Sequence, residues 1–228
     1  MNKILNLLIL TFVISSCNAQ DNLKEYYYPI TNKKEVNIYK YQDKNDSSRV
    51  EYWKVTTDPK KNEILTESFT TDFSLYNVFK EKITEKGAEL IDYKDYQKND
   101  SGKLIEIQAK ILNKDVYIWN GENKYQYSVQ YKNKYGNEQF IKDRQKKGFE
   151  KIDVNGTEYS TVKFLDEYVI KLLDSNEIYE FYQLTFYSKG KGMVEYRRYH
   201  PNGAIIELEL MEILTQAEFE KLSGKKSQ

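Results

Sequence analysis

Among side chains that could do chemistry, the 228 residues contain one histidine, His200, and one cysteine, Cys17. A single imidazole removes most general-base, catalytic-triad and histidine-ligated metal arrangements together. Zinc would find at most one nitrogen ligand and no thiolate beyond residue 17. His200 stands in Tyr199-His200-Pro201-Asn202-Gly203, a turn sequence, so its expected place is a water-exposed turn. Asp and Glu total 35, so carboxylate pairs exist by number alone. Glu207 and Glu209 alternate with Ile206, Leu208 and Leu210, which places them on one face of a strand, expected to be the wet one. Asp43-Lys44-Asn45-Asp46 lacks the spacing of a calcium loop and reads as a solvated loop. Ser101-Gly102-Lys103 lacks the upstream glycine of a phosphate loop and is followed by Leu104 instead of a hydroxyl residue. Gly190-Lys191-Gly192 has Glu195 where a dinucleotide fingerprint needs its third glycine, and no Gly-x-Ser-x-Gly elbow occurs. The expectation is no catalytic residue, no cofactor and no metal site.

Cys17 carries the clearest local signal. The chain opens Met1-Asn2-Lys3 and continues apolar from Ile4 to Ile14, interrupted by Asn6 and Thr11. That run is shorter than the roughly 20 apolar residues a membrane span needs, and it has the charged and apolar regions of an export signal. Ile14-Ser15-Ser16-Cys17 resembles a bacterial lipobox. The resemblance implies cleavage before Cys17, diacylglyceryl transfer to its thiol, and acylation of the new amino terminus, palmitate being the expected chain. Two or more acyl chains hold a protein to a bilayer stably, whereas one holds marginally. The organisation that follows is a signal peptide over 1–16, a lipid-anchored linker over 17–25, a β-rich globular domain over 26–224 and a frayed tail over 225–228. The alternative is an ordinary signal-peptidase cut after Cys17-Asn18-Ala19, leaving a secreted or periplasmic chain that begins at Gln20.

The domain has no cysteine after residue 17 and must be held by its core. Strand signals dominate it. Val36 to Tyr41 and Val50 to Val55 are β-branched and aromatic runs flanking a polar loop. Asn120-Gly121, Asn155-Gly156 and Asn202-Gly203 mark tight antiparallel turns, because both residue types tolerate positive φ. Tyr125, Tyr127, Val129 and Tyr131 share one face of a strand. Ile178 to Tyr187 is apolar on both parities, which suits a strand covered on both faces. Residues 73–86 fit either a helix or, with Lys86-Gly87, a hairpin, and Glu138 to Lys147 fits a short helix ending at Gly148. A terminal helix is well marked. Thr215 and Glu218 form a capping box, Leu214 and Phe219 a hydrophobic staple, and Gly224 the stop.

Lys and Arg also total 35, and this balance argues against nucleic acid as a partner. The 21 tyrosines fit either a sheet core, where their β-preference places them, or a concave surface for an apolar or sugar-like ligand. Tyr27-Tyr28-Pro29-Ile30 and Tyr187 to Val194 resemble the opening and closing signatures of Bacteroidetes-type lipoproteins with curved-sheet, lipoprotein-carrier (LolA-like) architecture. That resemblance implies a strongly bent antiparallel sheet whose inner face holds acyl chains. The expected fold is mainly β, a single strongly curved antiparallel sheet as a half-barrel or open barrel, with a short C-terminal helix. The expected function is that of an envelope lipoprotein of the outer membrane. It would be a non-catalytic binding or structural module for a hydrophobic ligand or an envelope protein partner, with the membrane engaged through the anchor. Two alternatives are a glycan-active or other hydrolase using scattered carboxylates, and an immunity or inhibitor lipoprotein presenting Lys-rich loops such as 142–147.

Overall fold

The computed structural model describes residues 22–224. Cys17, the signal segment 1–16 and the tail 225–228 lie outside the described residues. Thirteen strands form one antiparallel sheet. They are β1 (Glu35–Asp43), β2 (Val50–Asp58), β3 (Glu63–Phe69), β4 (Leu75–Ile83), β5 (Gly87–Lys98), β6 (Leu104–Gln108) and β7 (Lys110–Ile118). There follow β8 (Lys124–Asn133), β9 (Gly136–Val154), β10 (Thr157–Leu172), β11 (Glu177–Ser188), β12 (Gly192–Tyr199), β13 (Ile205–Leu214) and one helix, α1 (Gln216–Ser223). Pairing of β4 with β5 and of β1 with β13 closes twelve strands into a barrel, and β6 pairs with the far half of β5. The expected curved sheet is thus bent until its edges meet. Among the described residues closure pairs both edges of each of the twelve barrel strands, while β6 is paired with β5 alone.

Period-two alternation explains the wall. In β1, Tyr39 and Tyr41 are buried in the interior core, while Lys40 points out to pair with Glu212 at 2.6 Å. Ile38, on the outer face, is covered by α1, whose Phe219 packs with Tyr52, Phe69 and Leu214. The capping box of Thr215 and Glu218 forms, and Gly224 ends the helix in the left-handed region at φ 66°. All three Asn-Gly pairs lie in hairpin turns, and Asn155 and Gly156 take φ of 50° and 75° between β9 and β10.

Two expectations are overturned. Glu138 to Lys147 is not a helix but part of β9, paired on both sides with β8 and β10. The same pairing makes 142–147 a strand instead of a Lys-rich loop. Phe140, Lys142 and Arg144 face inward there, so charged side chains on the buried face disguised the alternation. Residues 73–86 take the hairpin alternative as β4 and the turn into β5. Within β11 the buried half is Gln183 to Ser188, whereas Ile178, Tyr179 and Tyr182 are exposed.

One end of the barrel is plugged by residues 23–28. A single 3-10 turn, Leu23–Tyr26, capped by Asn22, buries Leu23 and Tyr26, and Tyr27 and Tyr28 follow it into the interior. The Gly190 amide donates to the Glu25 carbonyl at 2.9 Å, and Lys189 pairs with Glu25 at 2.9 Å. Tyr27 sits against Tyr117 at 4.7 Å and Trp119 at 5.4 Å between ring centroids. Gly192, at φ 86°, leaves room for Tyr28, whose ring carbon would stand 2.5 Å from a Cβ there. The carrier-type resemblance implies an open sheet, and the closed wall departs from it. The two quoted signatures nevertheless meet, because Tyr28 rests on Gly192.

Candidate functional site

Above the plug the barrel holds a cavity of about 300 Å³. Its floor is Tyr27, Tyr28, Tyr187 and Met193. One wall is aromatic, with Phe79, Tyr93, Tyr127, Phe140 and Tyr168 from β4, β5, β8, β9 and β10. Burial falls from floor to rim: Met193 is 1% exposed and Arg144 2%, whereas Arg198, Phe181, Tyr76 and Asp95 are half-buried. The cavity opens at the end opposite the plug. Tyrosine therefore occurs both in the core, at Tyr39, Tyr41 and Tyr117, and on the cavity wall, at Tyr93, Tyr127 and Tyr168.

A polar belt crosses the middle. Arg144 on β9 grips Asp166 on β10 with Nε to Oδ1 at 2.6 Å and Nη2 to Oδ2 at 2.8 Å. Lys142 Nζ stands 3.0 Å from Asp166 Oδ2, and Thr185 Oγ1 donates to the same oxygen at 2.6 Å. Burial pushes the Asp166 carboxyl up, but Arg144 and Lys142 outweigh it and hold the group well below the usual carboxylate range. Lys142 is brought down to about 8 by burial and by the neighbouring Arg144, against the attraction of Asp166. Its ammonium lies over the Tyr168 ring at 5.2 Å.

Glu81 on β4 is also buried and takes a hydrogen bond from the Tyr27 hydroxyl. Burial raises it to about 7, with Tyr27, Arg144 and Lys142 opposing. Near the rim, Glu51 accepts from Trp53 Nε1 at 3.0 Å, Tyr76 at 3.0 Å and Tyr196 at 3.2 Å. Arg198 donates through Nε to Gln183 Oε1 at 3.1 Å. His200 is half-buried at the same rim, its Nδ1 2.8 Å from the Tyr179 hydroxyl and its ring 5.4 Å from Phe181.

On the outside of the barrel, Glu195, Glu207 and Glu209 place carboxylate oxygens within 4.8 Å of one another. Glu209 is only 8% exposed, so the wet face expected for it is in fact covered. Arg197 bridges Glu195 and Glu207, and Lys44 reaches Glu209 at 3.1 Å, so two cations of the chain itself offset part of the charge of the three carboxylates.

Sequence reasoning put none of Glu81, Asp166 or Arg198 at a site and placed Lys142 and Arg144 only in an exposed Lys-rich loop. The signal was present in strand parity, since Phe140, Lys142 and Arg144 lie on the same face, but it is legible only once the partner strand bearing Tyr125 and Tyr127 is known.

The fold and site define an antiparallel barrel closed at one end, with a part-aromatic, part-charged chamber. No protein-family model matches this chain, and neither does any curated protein. Two solved structures are similar in outline. One is a presumed lipoprotein from Parabacteroides distasonis, at 15% identity and a TM-score of 0.48, covering 82% of this chain and 97% of that one. The other is a presumed exported protein with YmcC-like fold from Bacteroides fragilis, at 11% identity and a TM-score of 0.49, covering 83% of this chain and 99% of that one. Likeness at this level transfers no activity or ligand.

Proposed function

We propose that this chain is an exported envelope protein, held at the outer membrane through acylated Cys17, whose barrel binds a small, mainly hydrophobic ligand without catalysis. The observation that carries the binding reading is the cavity of about 300 Å³, floored by the plug and walled by aromatic rings. Ligand chambers of roughly this size and lining are where apolar molecules with a few fixed polar contacts are taken up. Support for the anchor comes from Ile14-Ser15-Ser16-Cys17 alone. Native mass spectrometry of the protein taken from its own membrane tests both parts. A retained acyl mass and a co-purified small molecule are expected. A polypeptide starting at Gln20 would sink the anchor, and a ligand-free barrel that takes up no aliphatic molecule would sink the chamber.

A second reading, a hydrolase, draws on Glu81, which lines the cavity and is raised to about 7, the state suited to a general acid. On that reading Glu81→Gln abolishes turnover of a glycoside library. On the binding reading no turnover exists to lose.

A further inference from the structure

We infer that Arg198 is the head-group site of the chamber, and that the ligand is a small amphiphile carrying one carboxylate or phosphate at its polar end. This rests on the binding reading above. A guanidinium has five N–H donors. Arg198 spends one of them, Nε, on Gln183 Oε1 at 3.1 Å. That bond is itself fixed by a relay. Gln183 Nε2 donates to Thr185 Oγ1 at 3.3 Å, and Thr185 donates to Asp166 at 2.6 Å. The guanidinium carbon lies over the rings of Tyr196 and Phe181, 5.1 Å and 5.4 Å from their centroids. Its terminal nitrogens have no hydrogen-bond partner and no ion pair among the described residues, and the side chain lines the cavity.

The three interior cations are not equivalent. Arg144 and Lys142 share Asp166, so their charge is answered within the barrel. Glu51 offsets part of the Arg198 charge from a distance, but its oxygens accept from Trp53, Tyr76 and Tyr196 and form no ion pair with the guanidinium. A part-desolvated guanidinium with an open fork is costly unless an anion completes it, and a carboxylate or phosphate head that presents two oxygens fits that fork. The rest of the ligand lies on the aromatic wall at Phe79, Tyr127, Phe140 and Tyr168. With about 30 Å³ per water-sized atom group, a cavity of about 300 Å³ suits a molecule on the order of ten heavy atoms.

The test is calorimetric titration of the chain carrying Cys17→Ser, purified without lipid, with octanoate, octyl phosphate and octan-1-ol. The expected result is that at least one acid binds about tenfold or more tighter than the alcohol, as a charge-assisted bidentate contact implies. The tighter acid identifies the head as carboxylate or phosphate. Arg198→Gln should bring both acids to the affinity of the alcohol, and Arg198→Lys, which keeps the charge without the fork, should fall between. Equal affinity for acids and alcohol overturns the Arg198 inference while leaving the chamber. Unchanged acid binding by a folded Arg198→Gln protein does the same. Binding of none of the three overturns the chamber reading and this inference with it. If Arg198→Gln fails to fold, the comparison of acids with alcohol on the Arg198 protein decides alone.

Discussion

Arg144 and Asp166 lie opposite each other on β9 and β10 and form a two-point ion pair at 2.6 Å and 2.8 Å, with neither side chain more than 3% exposed. Removing one partner of such a pair leaves a buried charge unanswered, here two, because Lys142 depends on the same carboxylate. Asp166→Asn should cost about 3–5 kcal/mol, read from the urea unfolding midpoint. The triple change Lys142→Met, Arg144→Met, Asp166→Leu should cost less than the single one. Because Asp166 is held below its unfolded pKa, its stabilisation is full above about pH 4 and is lost as the pH falls further. A single-variant loss under about 1 kcal/mol would show that the belt does not hold the wall.

Glu81 behaves in the opposite sense. Its folded pKa is raised from 4.5 to about 7, so the folded state binds the extra proton between those values, and stability falls as the pH rises through that window. The expected loss is about 3 kcal/mol from pH 4.5 to 7.5, at 1.36 kcal/mol per unit. Glu81→Gln keeps an acceptor for the Tyr27 hydroxyl and carries no charge. Its melting temperature should therefore exceed that of the parent at pH 8 and match it near pH 5. Parallel melting curves for the two proteins across that range would contradict the raised carboxyl.

Gly192 and Gly190 separate plug packing from backbone strain. Both have positive φ, 86° and 67°, but a Cβ at Gly192 would meet the Tyr28 ring at 2.5 Å, whereas at Gly190 it meets nothing within 4 Å. Gly190→Ala should cost about 1–2 kcal/mol through the left-handed conformation alone. Gly192→Ala should cost about 1–3 kcal/mol more, and Tyr28→Ala in the same protein should return most of that excess. Equal melting points for the two alanine variants would mean that Tyr28 is not seated on Gly192.

Much of the wall was legible in the sequence, and the interior was not. Val36 to Tyr41, Tyr125 to Tyr131 and the Asn-Gly turns each announce strand or turn by local chemistry, and all fall where they point. Thr215, Glu218 and Gly224 specify α1 for the same reason. Closure was not legible, because it depends on β1 meeting β13, strands far apart in sequence that no local signal brings together, and on a β4–β5 hairpin whose segment 73–86 fits a helix almost as well. The polar belt was hidden by its own chemistry. Lys142, Arg144 and Asp166 violate the rule that charge faces water, which holds only where no partner strand supplies the counter-ion. His200, singled out by rarity, sits at the rim and bonds Tyr179, while Arg198 two residues before it carried no sequence signal at all.

If Cys17 is acylated as the lipobox-like sequence suggests, the plug sets which way the barrel should face. Cys17 precedes Asn22, the first described residue, by five positions, so on the lipid-anchored reading the acylated residue can be no more than about 18 Å of backbone from the plug, at roughly 3.3–3.6 Å per extended residue. The plug closes the end that carries the β11–β12 turn, since Glu25 bonds Gly190 and Lys189 there. Strands run antiparallel around the barrel, so the β12–β13 turn at Asn202 lies at the opposite, open end. On the lipid-anchored reading the mouth points away from the bilayer. A fluorophore at Lys191→Cys should be quenched by headgroup-labelled quencher lipids, and one at Asn202→Cys should not. Labelling with palmitate should vanish in Cys17→Ser, and the protein should leave the membrane fraction. Stronger quenching at residue 202 than at residue 191 would reverse the orientation, and continued membrane retention without palmitate would remove the anchor on which it depends.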